Sequence, residues 1–190
     1  MTHWTDDLVR INACKDAIEW AREQPSLAVA WKKSKRGDHM LWLVGKANPS
    51  EPWSDARKPI VACCAEIAST ALPYCNDDTI TATLGCIDAT ERWCRGEAER
   101  DEVESAAADA ANTADARAAA AAYAAAYAAY GAIYADATYA DAAVAAAVAA
   151  ANAYGAAAAN AAAARAKSLE QSADIVRKRF PNPPKIGDAK

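Results

Sequence analysis

Along the first hundred residues, bulky apolar side chains recur at helical intervals and are parted by short polar or proline-bearing stretches. Leu8, Ile11, Cys14, Ile18 and Ala21 follow one another at spacings of 3, 3, 4 and 3, which predicts one amphipathic helix over residues 6–23, closed by Pro25. Ser26 is placed to cap a second helix through Leu27, Val29 and Trp31, which runs into a basic cluster and stops at Gly37. Asp38 is expected to cap a third. Its Met40, Leu41, Leu43 and Val44 are too densely apolar for a surface helix, so this helix should be central. A polar loop over 47–54 leads to a helix over 55–72 carrying Ile60, Val61, Cys64, Ile67 and Ala71, ended by Pro73. Asp78 or Thr79 then caps a helix through Ile80, Leu84, Ile87 and Trp93 that stops at Gly96.

Beyond a charged stretch at 97–105 the pattern changes. From 106 to 166, 39 of 61 residues are alanine, which has the highest helix propensity because its side chain loses no entropy, yet offers little apolar area for packing. Tyr123, Tyr127, Tyr130 and Tyr134 stand 4, 3 and 4 apart, a heptad-like stripe on one face. Gly131, Gly155, Asp136, Asp141, Asn152 and Asn160 offer turn points, so two or three antiparallel helices are expected rather than one rod. An ice-binding face would need regularly spaced threonines, and this region has only Thr113 and Thr138. The expected fold is all-α: a multi-helix bundle with an alanine-rich, close-packed C-terminal half. Residues 1–100 form a bulky-core region, residues 101–180 pack on it within one structural domain, and residues 181–190 form a proline-containing tail.

Composition narrows the function classes. The chain has 190 residues and a net charge of −4, with a mean hydropathy of −0.19. It has no bulky apolar run of membrane-spanning length and no apolar core of a secretory signal at its start, so a cytoplasmic protein without a membrane partner is expected. The acidity and the absence of a nucleic-acid-binding motif disfavour nucleic acid as a partner. The clusters Lys32, Lys33, Lys35, Arg36 and Arg177, Lys178, Arg179 read as cationic helix ends facing the negative end of the dipole. Six cysteines lie mostly in apolar helical stretches and read as buried free thiols. Neither they nor His3 and His39 show metal-ligand spacing, so no metal and no cofactor is expected.

No phosphate-cradling glycine loop, nucleophile elbow or zinc-protease motif occurs, and the paired acids Asp77 and Asp78 are more simply helix caps than acid–base groups. These features point away from an enzyme. Five of the six tryptophans precede residue 54. Core packing accounts for Trp20, Trp31 and Trp42. Where an indole has cations beside it, a planar base could stack while a cation holds phosphate. Trp31 with Lys32, Lys33, Lys35 and Arg36 is one such combination, and Trp53 with Arg57 and Lys58 is another. The candidate ligand- or partner-binding residues are therefore Arg36, Trp53, Arg57, Lys58, Arg92, Trp93, Tyr127 and Tyr134. Association into homo-oligomers through the alanine and tyrosine helices is a further expectation.

The segments RGDHMLWL at 36–43, DARKP at 55–59 and ERWCRGE at 91–97, within the stretch 11–98, resemble the Imm-5-like immunity proteins of bacterial toxin–immunity loci and related phage genes. The resemblance implies an all-α fold and a non-enzymatic role in neutralising an effector of a biological conflict system. It also implies a characteristic arginine, which maps to Arg57 or Arg92. The partner would be a protein effector. The alternative is a phage sponge that sequesters a small immune-signalling nucleotide, cyclic or derived from ADP-ribose, without cleaving it. Arg57 stands at the start of a helix whose dipole favours an anion. Arg92 could equally make a buried ion pair, for example with Asp55, that merely fixes the bundle.

Overall fold

A computed structural model describes residues 3–75, 77–112, 145–146, 149 and 158–186. The fold is all-α, with eight α-helices and no strand among the described residues. The helices are α1 (Asp6–Arg10), α2 (Lys15–Arg22), α3 (Leu27–Lys33), α4 (Gly37–Ala47), α5 (Lys58–Ser69), α6 (Asp77–Arg95), α7 (Arg100–Asn112) and α8 (Ala158–Arg179), with 3-10 turns at Asp55–Arg57 and Leu72–Tyr74. The tyrosine stripe, including Tyr127 and Tyr134, and the turn points of the alanine region lie outside the described residues.

Helix α5 sits at the centre, packed on α4, α6 and α8, while α7 packs on α6 and α8 on α4. Its Ile60, Val61, Cys63, Cys64, Ile67 and Ala68 share one core with Leu8, Trp31, Leu41 and Val44 on the amino-terminal side, and with Val103, Ala107, Ala173 and Val176 from the alanine-rich helices. The expected central position of α4 is met: Met40, Leu41, Leu43 and Val44 are all buried. Thr83, Thr90 and Ser172 are buried too, and each hydroxyl donates to a carbonyl one turn back, Thr79, Cys86 and Ser168 respectively, at 2.7–2.9 Å. Short side chains so satisfied let helix backbones approach closely without orphaned polar groups.

Several local expectations need correction. The single helix over 6–23 is two. Asn12 adopts a left-handed conformation, φ 60°, its amide donates to the Val9 carbonyl (3.0 Å), and the Ala13 amide donates to that of Leu8 (2.9 Å). This is a Schellman ending in which asparagine replaces the usual glycine, and it turns the chain before α2. Gly37 does not stop a helix; it begins α4. A Cβ there would lie 2.4 Å from Ser172 Cβ and 2.6 Å from the Ala173 amide nitrogen, so the absence of a side chain lets α4 touch α8. Asp38 is not the α4 N-cap. That position is Arg36, and the Asp38 carboxylate turns back onto the Arg36 guanidinium. The helix expected over 55–72 is a 3-10 turn followed by α5, which ends at Ser69, four residues before Pro73. Helix α6 begins at Asp77, which places Asp78 and Thr79 inside its first turn rather than at its cap. Ser26 does cap α3, accepting from the Val29 amide at 3.3 Å. Gly96 ends α6 at φ 80°, again with a Schellman pair, Gly96 amide to Trp93 carbonyl and Glu97 amide to Arg92 carbonyl.

The basic end of α8 joins distant elements. Arg177 donates to the Ser34 carbonyl at 2.6 Å and to the Asp174 carboxylate at 2.6 Å, covering carbonyls that the end of α3 leaves unpaired. Trp31 donates in turn to the Phe180 carbonyl at 3.0 Å, and Lys178 and Arg179 both reach Glu66 on α5.

Candidate functional site

Helices α1 to α4 enclose a cleft of 230 Å³ whose walls include Trp4, Trp20, Trp31 and Trp42 together with Leu8, Ala17, Leu27 and Leu43. The indoles reach it by different routes. Trp31 is buried and anchored through the Phe180 carbonyl. Trp4 is held by donation to the Gln24 carbonyl at 3.2 Å. Trp20 is not a core residue as expected: it is 37% exposed and stands at the rim. The α1–α2 turn that splits the expected long helix also bends α2 into place, so that Asn12, Ala13 and Cys14 contribute to the cleft. An apolar cavity of about 150 Å³ admits a benzene ring, so this cleft has room for one flat ring with a short substituent.

The polar groups of the cleft are Asn12, Cys14, Ser34, Asp38 and His39. Cys14, the N-cap of α2, is exposed, and its Sγ lies 3.6 Å from His39 Nε2. Burial pushes the His39 imidazole below its usual range, against the opposing pull of Asp38 and Asp16, so it is neutral at pH 7. Burial acts to raise Asp38, but the hydrogen bonds from Arg36, the nearby charges of His39 and Arg36 and the His39 backbone amide together outweigh it and hold the carboxyl below the usual carboxylate range. Arg36, one of the candidate binding residues, is therefore engaged bidentately by Asp38 at 2.6–3.2 Å.

The other candidates gather elsewhere. Trp53 and Trp93 meet edge to face with centroids 5.2 Å apart, Lys58 Nζ lies 5.6 Å from the Trp93 ring, and the Arg100 guanidinium covers Trp53 at 5.2 Å. Sequence reasoning thus selected residues that do converge, but these ring faces are already covered by the chain's own edges and cations. Trp93 is buried. Arg57 is 1% exposed, the largest fully buried side chain among the described residues, and reaches Ser50 Oγ at 3.5 Å. Arg92 does not pair with Asp55. Asp55 is bound to Lys58 at 2.7 Å, while Arg92 bridges to Glu102 on α7 and donates to the Glu97 carbonyl at 3.1 Å. Beside this cluster runs a polar groove of 430 Å³ whose lining includes Lys58, Arg95 and Arg179 with Asp55, Glu91 and Cys94.

Among the cysteines, Cys63, Cys64 and Cys86 are buried and Cys75 and Cys94 partly so, as expected, whereas Cys14 is exposed. Burial pushes Cys63 and Cys86 up to about 12 and Cys94 to about 11, which makes these thiols inert. Among the described residues no group of three or more His, Cys, Asp or Glu could hold a metal ion, and no helix is long and apolar enough to cross a membrane.

Neither protein-family models, nor curated proteins, nor solved structures match this chain.

The crowding of tryptophans before residue 54 was the one sequence signal that could have located the cleft. Nothing in a separation of 25 residues marks Cys14 and His39 as neighbours, because their meeting depends on the turn at Asn12.

Proposed function

We propose that this chain is a non-enzymatic binding protein that neutralises an effector of a biological conflict system in the bacterial cytoplasm, as an immunity-like or phage counter-defence inhibitor, by holding an aromatic group of that effector in the tryptophan-lined cleft. The observation that carries the reading is the convergence of four indoles on 230 Å³. Aromatic walls recognise a flat apolar group through area and edge or face contacts, and need no moving catalytic part. The polar groups present are neutral or acidic, which suits an uncharged ring better than a phosphorylated one. A protein effector can supply such a ring as a buried anchor side chain. The conflict-system role rests on the resemblance of residues 36–43, 55–59 and 91–97 to Imm-5-like immunity proteins.

A second reading, the nucleotide sponge, is favoured by the groove where Lys58, Arg95 and Arg179 stand together; a phosphate chain could displace Asp55 from Lys58 there. The two are separated by co-expressing the protein with a candidate effector system and purifying it. Recovery of a stoichiometric effector complex that Trp20→Ala disrupts supports the cleft. Release of an intact nucleotide on denaturation, unaffected by Trp20→Ala and lost with Lys58→Ala, supports the sponge. Release of a cleaved product would contradict both.

A further inference from the structure

The exposed thiol of Cys14 lies at the cleft beside a histidine that burial keeps neutral. We propose that Cys14 and His39 form an acyl-acceptor site: the thiol takes an acyl group with an aromatic body from a thioester, and that body lies among the indoles. The proposal goes beyond the capture reading above and rests on it for the cleft's preference for a flat aromatic group.

Four observations converge. Cys14 is the exposed thiol among six cysteines, and Cys63, Cys64 and Cys86 are withdrawn into the core. Its Sγ is 3.6 Å from His39 Nε2, within reach for proton transfer once a substrate tightens the site. It is the N-cap of the eight-residue α2, where the positive end of the helix dipole favours a developing thiolate. The cleft that both residues line is walled by Trp4, Trp20, Trp31 and Trp42, so a nucleophile stands at the edge of a compartment shaped for a flat apolar group.

The step balances without an oxidant or a metal. His39 Nε2 accepts the thiol proton, and the Cys14 sulfur attacks the acyl carbon to form a new carbon–sulfur bond. The bond to the leaving sulfur breaks, and the leaving thiolate takes the proton from the imidazolium. The products are a Cys14 thioester and a free thiol. The charged groups around His39 are Asp16 on α2 and Arg36 with Asp38 at the start of α4, the last two held together as a bidentate pair, and it is His39 Nε2 that faces Cys14 Sγ. The chain is an acceptor used once and not a catalyst.

The probe is the N-acetylcysteamine thioester of phenylacetic acid, with the acetyl thioester as a control that carries no apolar body. Intact-mass and peptide spectrometry on the full chain should show one phenylacetyl group on Cys14. It should form at least tenfold faster than the acetyl adduct, because only the former fills the cleft. His39→Gln should slow it by about 100-fold, the lower range for a positioned base. The wild-type rate should rise with pH as His39 loses its proton, a step that lies below the ordinary imidazole range, and His39→Gln should lack that step. Cys14→Ser should remove the adduct and retain non-covalent binding of phenylacetamide, read by tryptophan fluorescence. Equal acylation of Cys14 by both thioesters, an unchanged rate in His39→Gln, or labelling spread over other cysteines would overturn the proposal. If Cys14→Ser binds phenylacetamide while the wild type is not acylated, the covalent step fails and the capture reading stands. If neither occurs, both fall.

Discussion

Replacing Gly37 by alanine tests how the cleft is held against the bundle. A Cβ at this position would sit 2.4 Å from Ser172 Cβ and 2.6 Å from both the Ser172 carbonyl carbon and the Ala173 nitrogen, where ordinary carbon contacts are about 3.5–4.0 Å. Two of the three obstructing atoms are backbone, so no rotamer change relieves them and α8 must move away from α4 by about 1 Å or more. Overpacking of this kind costs about 1–3 kcal/mol. The gain in helix propensity from glycine to alanine, at most about 1 kcal/mol in a helix interior, is reduced at the first residue of α4. A net loss of about 2 kcal/mol lowers Tm by about 4–8 °C in a chain of this size. Gly85→Ala is the matched control: its Cβ would meet nothing within 4 Å in the middle of α6, so it should raise stability by about 0.5–1 kcal/mol. Urea unfolding of both variants followed by circular dichroism gives the comparison. Because Asp38 and His39 follow Gly37 directly, Gly37→Ala should also weaken ligand binding in the cleft, while Gly85→Ala should not. If Gly37→Ala is as stable as Gly85→Ala, the close approach of α4 and α8 is wrong. Ser172→Gly should restore little in the double variant, since it removes only one of the three obstructing atoms.

Gly96→Ala should cost about 1–2 kcal/mol in urea unfolding, because alanine must adopt the left-handed conformation that ends α6; an unchanged midpoint would mean that the turn has another geometry. Iodoacetamide at pH 8 should label Cys14 first and leave Cys63, Cys64 and Cys86 untouched until the protein unfolds, and mass spectrometry showing these three labelled at the rate of Cys14 would contradict the core. His39 is lowered in the folded state, so its contribution to stability is full above its ordinary value of 6.5 and is lost as pH falls below it. His39→Gln should flatten the fall in stability below about pH 6.5, and an unchanged slope would place His39 in water.

The helical spacing of apolar residues was enough to locate α3 to α6 and the buried face of α4, because amphipathic periodicity reports burial directly. What periodicity could not report is how helices end. Asn12 stood inside an unbroken 3–4 pattern, yet its left-handed conformation breaks that pattern into two helices and makes one wall of the cleft. Gly37 looked like a terminator because glycine usually serves that role; its reason here is a tertiary contact with Ser172, 135 residues away, which no local signal carries. The pairing of tryptophans with neighbouring cations did pick out Trp53, Lys58 and Trp93, which do come together. Sequence cannot say whether such rings are open, and here they cover one another. Trp20, Trp31 and Trp42 were assigned to the core for the same reason: a residue on an apolar face lines a cavity or fills one with the same periodicity.

The central claim is that the ligand lies among Trp4, Trp20, Trp31 and Trp42 and not against Trp53 and Trp93. The six indole N–H signals of the protein, assigned by single Trp→Phe variants, read this directly in a two-dimensional nitrogen–proton spectrum. Titration with phenylacetamide should move the signals of Trp4, Trp20 and Trp42 in a saturable manner and leave those of Trp53 and Trp93 in place. Shifts confined to Trp53 and Trp93, or shifts that grow linearly without saturation at every indole, would contradict it.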